Sequence, residues 1–339
     1  MGKEYSQAFW DEVEKLEDLS MEHISQIINE NSSLSVALPE KLLLRRLQAQ
    51  NNAARGETEK KHLLPDRHQE GDFFIADGID LPYVRDDMAS MEYPIFALKP
   101  GDSRTLRYEH NEVKTVITSS AEYGRATIFD KDVWIYCVSK LMQAKFKNQP
   151  ISKNIRFSTY DFLVSTNRQT GGSQYEQFKQ SLERLGGTRI STEVETGGLR
   201  QAEFVGLIDS AKVMEEDING RTVAVEITLP NWLYRSVEHN EVLNISKDYF
   251  RLRKPIDRRI YEIARKHCGN KIEWKISLDL LHKKTGATMV LKEFRRSITS
   301  LSKADVLPDY QVSYDKESDS VIFNNRDPNT YHKAYIKRI

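Results

Sequence analysis

Ile155-Arg-Phe-Ser-Thr-Tyr-Asp-Phe-Leu163 runs into Thr170-Gly171-Gly172-Ser173 and then into a segment carrying Tyr175, Phe178, Leu182 and Leu185. Trp274-Lys-Ile-Ser-Leu-Asp-Leu-Leu281 runs into Thr285-Gly286-Ala287-Thr288 and then into Leu291, Phe294, Ile298 and Leu301. In both segments the apolar residues stand at offsets of 3, 4 and 3, which is one continuous stripe on a helix of 3.6 residues per turn. Thr170 and Thr285 are 115 positions apart, so the repeat describes a duplicated domain and not a solenoid, whose period is about 20–50 residues.

Working outward, each copy shows the same order: a long apolar helix, a short strand, a short helix, a Gly-containing turn, a second helix and a β-hairpin. The first hairpin is read as Arg189–Glu195, a turn at Thr196-Gly197-Gly198, and Gln201–Ile208; the second is Tyr310–Tyr314 and Ser320–Asn324. Two helices joined by a Gly turn and followed by a two-stranded wing describe a winged helix-turn-helix, whose second helix enters the DNA major groove. A further hairpin near Val213–Thr228 turns at Asn219-Gly220, a strong hairpin signal, and is placed in the connection between copies. Upstream, Thr105–Tyr108 and Val113–Ser119 flank His110-Asn111-Glu112 as a hairpin, and Asp130 is expected to cap an apolar helix carrying Trp134, Ile135, Val138, Leu141 and Met142.

The expected fold class is therefore α+β: two tandem winged helix-turn-helix domains with an N-terminal helical extension. Residues 1–47 form that extension, with Phe9, Val13, Leu16, Leu42, Leu43 and Leu47 as apolar stripes suited to a partner-binding or self-associating helix pair. Polar residues 48–71 read as a linker, 72–229 as the first winged-helix domain with its preceding hairpin, 230–328 as the second, and 329–339 as a tail.

With 339 residues and 39% hydrophobic content, the chain suffices for two cores. Its longest apolar run is Val133–Val138, far short of the roughly 20 residues that cross a bilayer. The N-terminus lacks the apolar stretch of a signal peptide, and its match to the short Gly2 myristoylation pattern is discounted. Cys137 and Cys268 are isolated and read as core thiols of a cytoplasmic protein. Lys and Arg number 50 against 50 Asp and Glu, a formal charge of zero that argues against a nucleic-acid partner. By segment the picture reverses. Residues 1–102 carry 20 acidic and 11 basic groups, net −9; residues 251–304 carry 15 basic and 5 acidic, net +10. Residues 130–190 carry 10 basic and 5 acidic. The C-terminal density is the footprint of a polyanion-binding surface, and the acidic end is expected to shield it when DNA is absent.

On the second helix of the C-terminal copy, the face opposite the apolar stripe carries Lys292, Arg295, Arg296, Thr299, Ser300 and Lys303. Arg295 and Arg296 are the candidates for base contacts, because a guanidinium forks onto guanine O6 and N7. Lys292, Lys303, Lys283 and Lys284 are the candidates for phosphates. The competing reading pairs Arg295 and Arg296 with Glu293 or Asp305 on a solvated surface. Upstream, Arg251, Arg253, Lys254 and Arg258, with Arg259, Arg265 and Lys266, flank a core stripe of Ile256, Ile260, Tyr261, Ile263 and Ala264, where backbone contact and a solvated face compete. In the first copy the candidates are Ser173, Gln174, Gln177, Lys179, Gln180 and Arg184, with Arg189 beyond the helix; this less basic face is expected to position more than it specifies.

Chemistry is not apparent. GxxxxGK[ST] and a GxGxxG after a strand are absent, and no His forms HxH, HExxH or a His/Cys cluster. The expectation is a protein that is not an enzyme and takes no cofactor and no metal. Trp10, Trp134, Trp232 and Trp274 read as core residues.

From about Asp72 to Pro328 the sequence resembles the bacterial plasmid replication initiators of the replication initiator protein A class. The resemblance rests on Asp86-Asp87-Met88-Ala89-Ser90-Met91-Glu92, Arg107-Tyr108-Glu109-His110-Asn111, Ala126-Thr127-Ile128-Phe129-Asp130-Lys131-Asp132 and Thr166-Asn167-Arg168-Gln169-Thr170-Gly171-Gly172. It continues through Glu183-Arg184-Leu185, Gly187-Thr188-Arg189-Ile190, Asp248-Tyr249-Phe250-Arg251-Leu252-Arg253-Lys254-Pro255, Arg265-Lys266-His267-Cys268-Gly269 and Glu293-Phe294-Arg295-Arg296. It implies two winged-helix domains that bind repeated double-stranded DNA sites, iterons, at a plasmid origin, open an adjacent AT-rich duplex and recruit the host initiator and replicative helicase. It also implies a homodimer that represses its own promoter, and a nucleoid- or plasmid-associated location. A transcriptional regulator on the same domains is the alternative, and a nicking replication protein a more distant third. Nothing is carried onto residues 1–71.

Overall fold

The computed structural model describes residues 63–68, 84–110, 113–196, 199–216 and 222–327. The helices expected over 1–47, Trp10, the turn residues Gly197-Gly198 and Asn219-Gly220, and the tail 329–339 lie outside them. The fold is mixed α and β.

Two modules follow one another. In the first, a long helix α2 (Asp132–Phe146; α1 is Met88–Glu92) precedes β4 (Asn154–Ser158), α3 (Thr159–Ser165), α4 (Gly172–Gly187) and later β7 (Ser210–Glu216) and β8 (Thr222–Thr228). In the second, α6 (Pro255–His267; α5 is Asn231–Glu238) precedes β10 (Glu273–Ser277), α7 (Leu278–Thr285), α8 (Leu291–Ala304), β11 (Tyr310–Asp315) and β12 (Ser320–Asn325). The sheets have matching orders, β4-β8-β7 and β10-β12-β11, each antiparallel with the last strand in the centre. The duplication read from sequence is thus present in the topology.

One expectation is reversed. The hairpin taken as the first wing, now β5 (Arg189–Thr196) and β6 (Leu199–Gly206), pairs with the upstream hairpin β2 (Leu106–His110) and β3 (Val113–Thr118) in a sheet of order β2-β3-β5-β6. The hairpin taken as a connection is β7–β8, and it holds the place that β11–β12 holds in the second module. Burial explains the choice: Ile155 and Phe157 of β4 stand opposite Ile227 and Val225 of β8, and all four are buried. Chain order favours the nearer hairpin, but apolar pairing across the sheet decides the partner.

α2 is apolar all round, from Val133 to Val138, and is buried accordingly. Trp134 packs edge-on against Phe96 and Trp232 and donates from Nε1 to the Leu207 carbonyl at 2.7 Å. Asp130 does not cap α2; Lys131 holds the cap position, and the Asp130 carboxylate accepts from Thr127 N and Oγ1 at 2.7 and 2.9 Å. Helix α5 places Trp232, Leu233 and Val237 in the first core. Cys137 and Cys268 are buried free thiols, and Trp274 stacks between His267 and Phe323.

The modules are joined by buried charge. β1 (Arg85–Asp87) pairs with β9 (Val242–Asn244), and Asp86 on it meets Lys131 Nζ at 2.7 Å. Lys131 also reaches Glu262 of α6 at 3.0 Å. Asp132 accepts Arg168 of the first module at 2.9 Å and Arg258 of the second at 2.7 Å. Part of the expected linker is fixed as well. Leu63 enters the second core, Leu64 N donates to the Arg251 carbonyl at 2.9 Å, Arg67 N donates to Asn167 Oδ1 at 2.8 Å, and Asn167 Nδ2 donates to the Pro65 carbonyl at 3.0 Å. Residues 63–68 form a strap across both modules.

Candidate nucleic-acid interface

α8 buries Phe294, Ile298 and Leu301, so its other face must meet solvent or a partner. That face and the end of β11 line an open groove formed by Lys292, Arg295, Arg296, Thr299, Ser300, Lys303, Ala304, Tyr314 and Lys316. All six candidates on this helix are brought together. Lys292, Arg296, Ser300 and Lys303 are exposed, and Lys292, Arg296 and Lys303 have no ion-pair partner among the described residues. Thr299 Oγ1 donates to its own helix at the Arg295 carbonyl, 2.9 Å. Arg295 is neither unpaired nor bound to Glu293 or Asp305. Its Nε donates to Tyr314 Oη at 3.0 Å and its Nη2 to Asp319 Oδ2 at 2.9 Å. The Arg295 and Tyr314 hydrogen bonds hold the Asp319 carboxyl below its usual range. Tyr314, Lys316 and Asp319 were not legible as site residues, because only the packing of the hairpin beside α8 brings them to the groove.

The remaining basic candidates divide. Lys283, Arg253 and Lys254 are exposed, with Arg253 Nη2 donating to the Leu63 carbonyl of the strap at 3.1 Å. Arg251 pairs with Asp248 at 3.0 Å and donates to the Leu64 carbonyl at 2.8 Å. Two expectations are corrected outright. Arg258 is buried, bound to Asp132 and stacked over Phe129 and Tyr249 at 4.5 and 4.9 Å. Lys284 is buried against Glu92. Arg259 is buried too, and donates to the carbonyls of Ser90 and Met91 at 2.9 and 3.0 Å, the open end of α1. Arg265 donates to the Asn244 carbonyl and Tyr310 Oη, and Lys266 is part-buried, which lowers its ammonium pKa. The physical reason is that segments distant in sequence cover these side chains: Phe129 and Asp132 at the start of α2 lie against Arg258, the end of α1 against Arg259 and Lys284, and β9 with Tyr310 against Arg265. Despite part-burial, His267 and Lys284 hold the Glu92 carboxyl down to about 2.

The first module presents a weaker surface. Ser173, Gln177 and Gln180 are exposed on α4 and Gln174 is half-buried. Arg184 is spent on Asp130, through Nε at 2.8 Å and Nη2 at 2.7 Å. Lys179 and Arg189 line a separate groove with Glu183, Gly206, Asp209 and Val213, between α4 and β7. The residues of this helix are therefore split between two surfaces, and the cationic ones face carboxylates. Among the described residues no group of His, Cys, Asp or Glu could hold a metal, and no helix is long and apolar enough to cross a membrane.

The family model described as Replication initiator protein A matches residues 85–312, from the start of β1 into β11. A putative replication protein of Wigglesworthia glossinidia brevipalpis is 44% identical over 271 residues, 79% of this chain and 98% of that one. The chain belongs to the replication initiator protein A family. Among solved structures, the RctB domains 2-3 cover 72% of this chain and 99% of their own at 11% identity, with a TM-score of 0.48. A selenomethionine derivative of domains 2 and 3 of RctB covers 71% and 98% at 12% identity, with a TM-score of 0.47.

Proposed function

We propose that this chain is a plasmid replication initiator that binds repeated double-stranded DNA sites at an origin through two winged-helix modules. The observation that carries the reading is the groove between α8 and β11, where Lys292, Arg296, Lys303 and Lys316 line one surface with polar Thr299 and Ser300. Cations beside hydroxyls and a forked guanidinium suit phosphates flanking a readable base edge. In this reading α8 enters a major groove and β11–β12 is its wing, while α4 contacts an adjacent site with Ser173, Gln177 and Gln180. Two modest contacts on one duplex strengthen each other through their linkage. The modules act without catalysis, cofactor or metal, open the neighbouring AT-rich duplex, and recruit the host initiator and helicase; a homodimer is the autorepressing form.

Footprinting the DNA that flanks its own gene tests this. Protection of tandem direct repeats beside an AT-rich stretch is expected. One protected palindrome over a promoter instead makes the chain a transcriptional regulator, and a metal-dependent nick at a single-stranded site makes it a nicking enzyme.

A further inference from the structure

A carboxylate stands at the edge of the cationic groove, where it opposes a polyanion, and the turn it occupies does not require it. Asp319 has φ of 44°, a left-handed backbone suited to Gly, Asn or Asp. That conformation is held by its main chain, because the Asp319 carbonyl accepts from Leu278 N at the start of α7, 2.9 Å away. Glycine or asparagine would serve the turn without the negative charge. The carboxylate instead takes Arg295: Oδ2 accepts from Nη2 at 2.9 Å and Oδ1 lies 3.3 Å from Nε. Tyr314 closes the arrangement, accepting from Arg295 Nε at 3.0 Å and donating to Asp319 Oδ1 at 2.5 Å.

A guanidinium has five N–H donors in a rigid fork. Asp319 and Tyr314 occupy the edge formed by Nε and one hydrogen of Nη2. Nη1 and the second Nη2 hydrogen have no partner among the described residues, and they form an equivalent edge on a side chain that lines the groove. We propose that Asp319, with Tyr314, is a positioning residue that fixes Arg295 for bidentate readout of a base. The base class is guanine, whose O6 and N7 match that free edge. Holding a long side chain in one rotamer before DNA arrives lowers the ordering cost of binding. Asp319 and Tyr314 both lie beyond the 85–312 family match.

The proposal rests on the α8 groove being the DNA interface, and the test separates the two. The full chain is used to select a binding site from a randomised duplex library. Affinities are then measured by anisotropy, at one salt concentration, on the selected duplex and on a shuffled duplex of the same composition. Asp319→Ala and Asp319→Asn should each weaken binding to the selected duplex about tenfold, while binding to the shuffled duplex stays equal or tightens. Asp319→Asn keeps a residue fit for the left-handed turn, so a loss shared by both variants is not a folding defect. The double variant R295A/D319A should be no weaker than R295A, and repeat selection with either single variant should relax the same guanine position. Tighter binding of Asp319→Ala to both duplexes by one factor would reduce the carboxylate to a repulsive charge and overturn the proposal alone. A wild-type chain with equal affinity for both duplexes, and no change in R296A, would overturn the interface reading together with it.

Discussion

Asp86, Lys131, Glu262, Arg258 and Asp132 show what a single side chain does where the modules meet. Burial pushes the Asp86 carboxyl up to about 8, against the pull of Lys131 2.7 Å away. Below that pH the folded chain keeps a proton that the unfolded chain releases near 4. Stability should therefore fall as pH rises from about 4 through about 8, because the native state binds the extra proton across that interval. Urea unfolding at a series of pH values checks this: Asp86→Asn should flatten the decline, and an unchanged decline would place its origin elsewhere. Arg258→Ala leaves the buried Asp132 with Arg168 as its one remaining cation and strips the Phe250 and Leu252 carbonyls of a donor; it should cost about 2–3 kcal/mol in the same assay while leaving the DNA affinity of the folded protein intact. A matching loss of DNA affinity would return Arg258 to the interface. Arg258 and Arg296 look alike in sequence, both basic and both off an apolar stripe. Only distant residues, Phe129 and Asp132 at the start of α2, which cover one and not the other, separate them.

At the scale of the element, the two glycine turns differ although their sequences align. Gly286 ends α7 with φ of 66°, and a Cβ there would meet Pro94 Cβ at 2.6 Å. Gly171 caps α4 with φ of −74° and has open space around it. Gly286→Ala should destabilise by about 2 kcal/mol or more, and Gly171→Ala by less than about 1 kcal/mol; equal thermal shifts would contradict this. The structural counterpart of Gly286 is Asn167, with φ of 56°. Its amide binds the strap at Arg67 N and the Pro65 carbonyl, which glycine cannot do. Asn167→Gly keeps the turn and should raise amide exchange across residues 63–68, whereas unchanged exchange would show that the strap is held by Leu63, Leu64 and the contacts of Arg67 and His68 with the carbonyls of residues 167 and 168. Helices with a 3.6-residue stripe were legible from their periodicity, as was each hairpin from its turn. Which hairpin pairs with β4 was not, since non-local strand pairing leaves no local mark. The strap was hidden for the same reason, its two leucines standing alone in a polar stretch.

Over the whole molecule, the charge pattern singled out the C-terminal module but overstated its exposed cationic surface. Of the cations between 251 and 304, Arg258, Arg259 and Lys284 are buried and ion-paired, and Arg251, Lys275 and Arg295 carry carboxylate partners. Of the exposed cations without an ion-pair partner among the described residues, Lys292, Arg296 and Lys303 of α8 share one groove with Lys316 of the hairpin, while Arg253, Lys254 and Lys283 lie outside it. The buried network and the strap connect the module that carries this surface to the first module. The central claim is that the α8 groove holds duplex DNA, and a salt titration of binding tests it most directly. Each phosphate contact contributes about 0.9 to the slope of log K against log salt. For Lys292→Ala/Lys303→Ala the slope should flatten by about 1.8 relative to wild type. A slope identical to wild type would place the interface elsewhere on the protein.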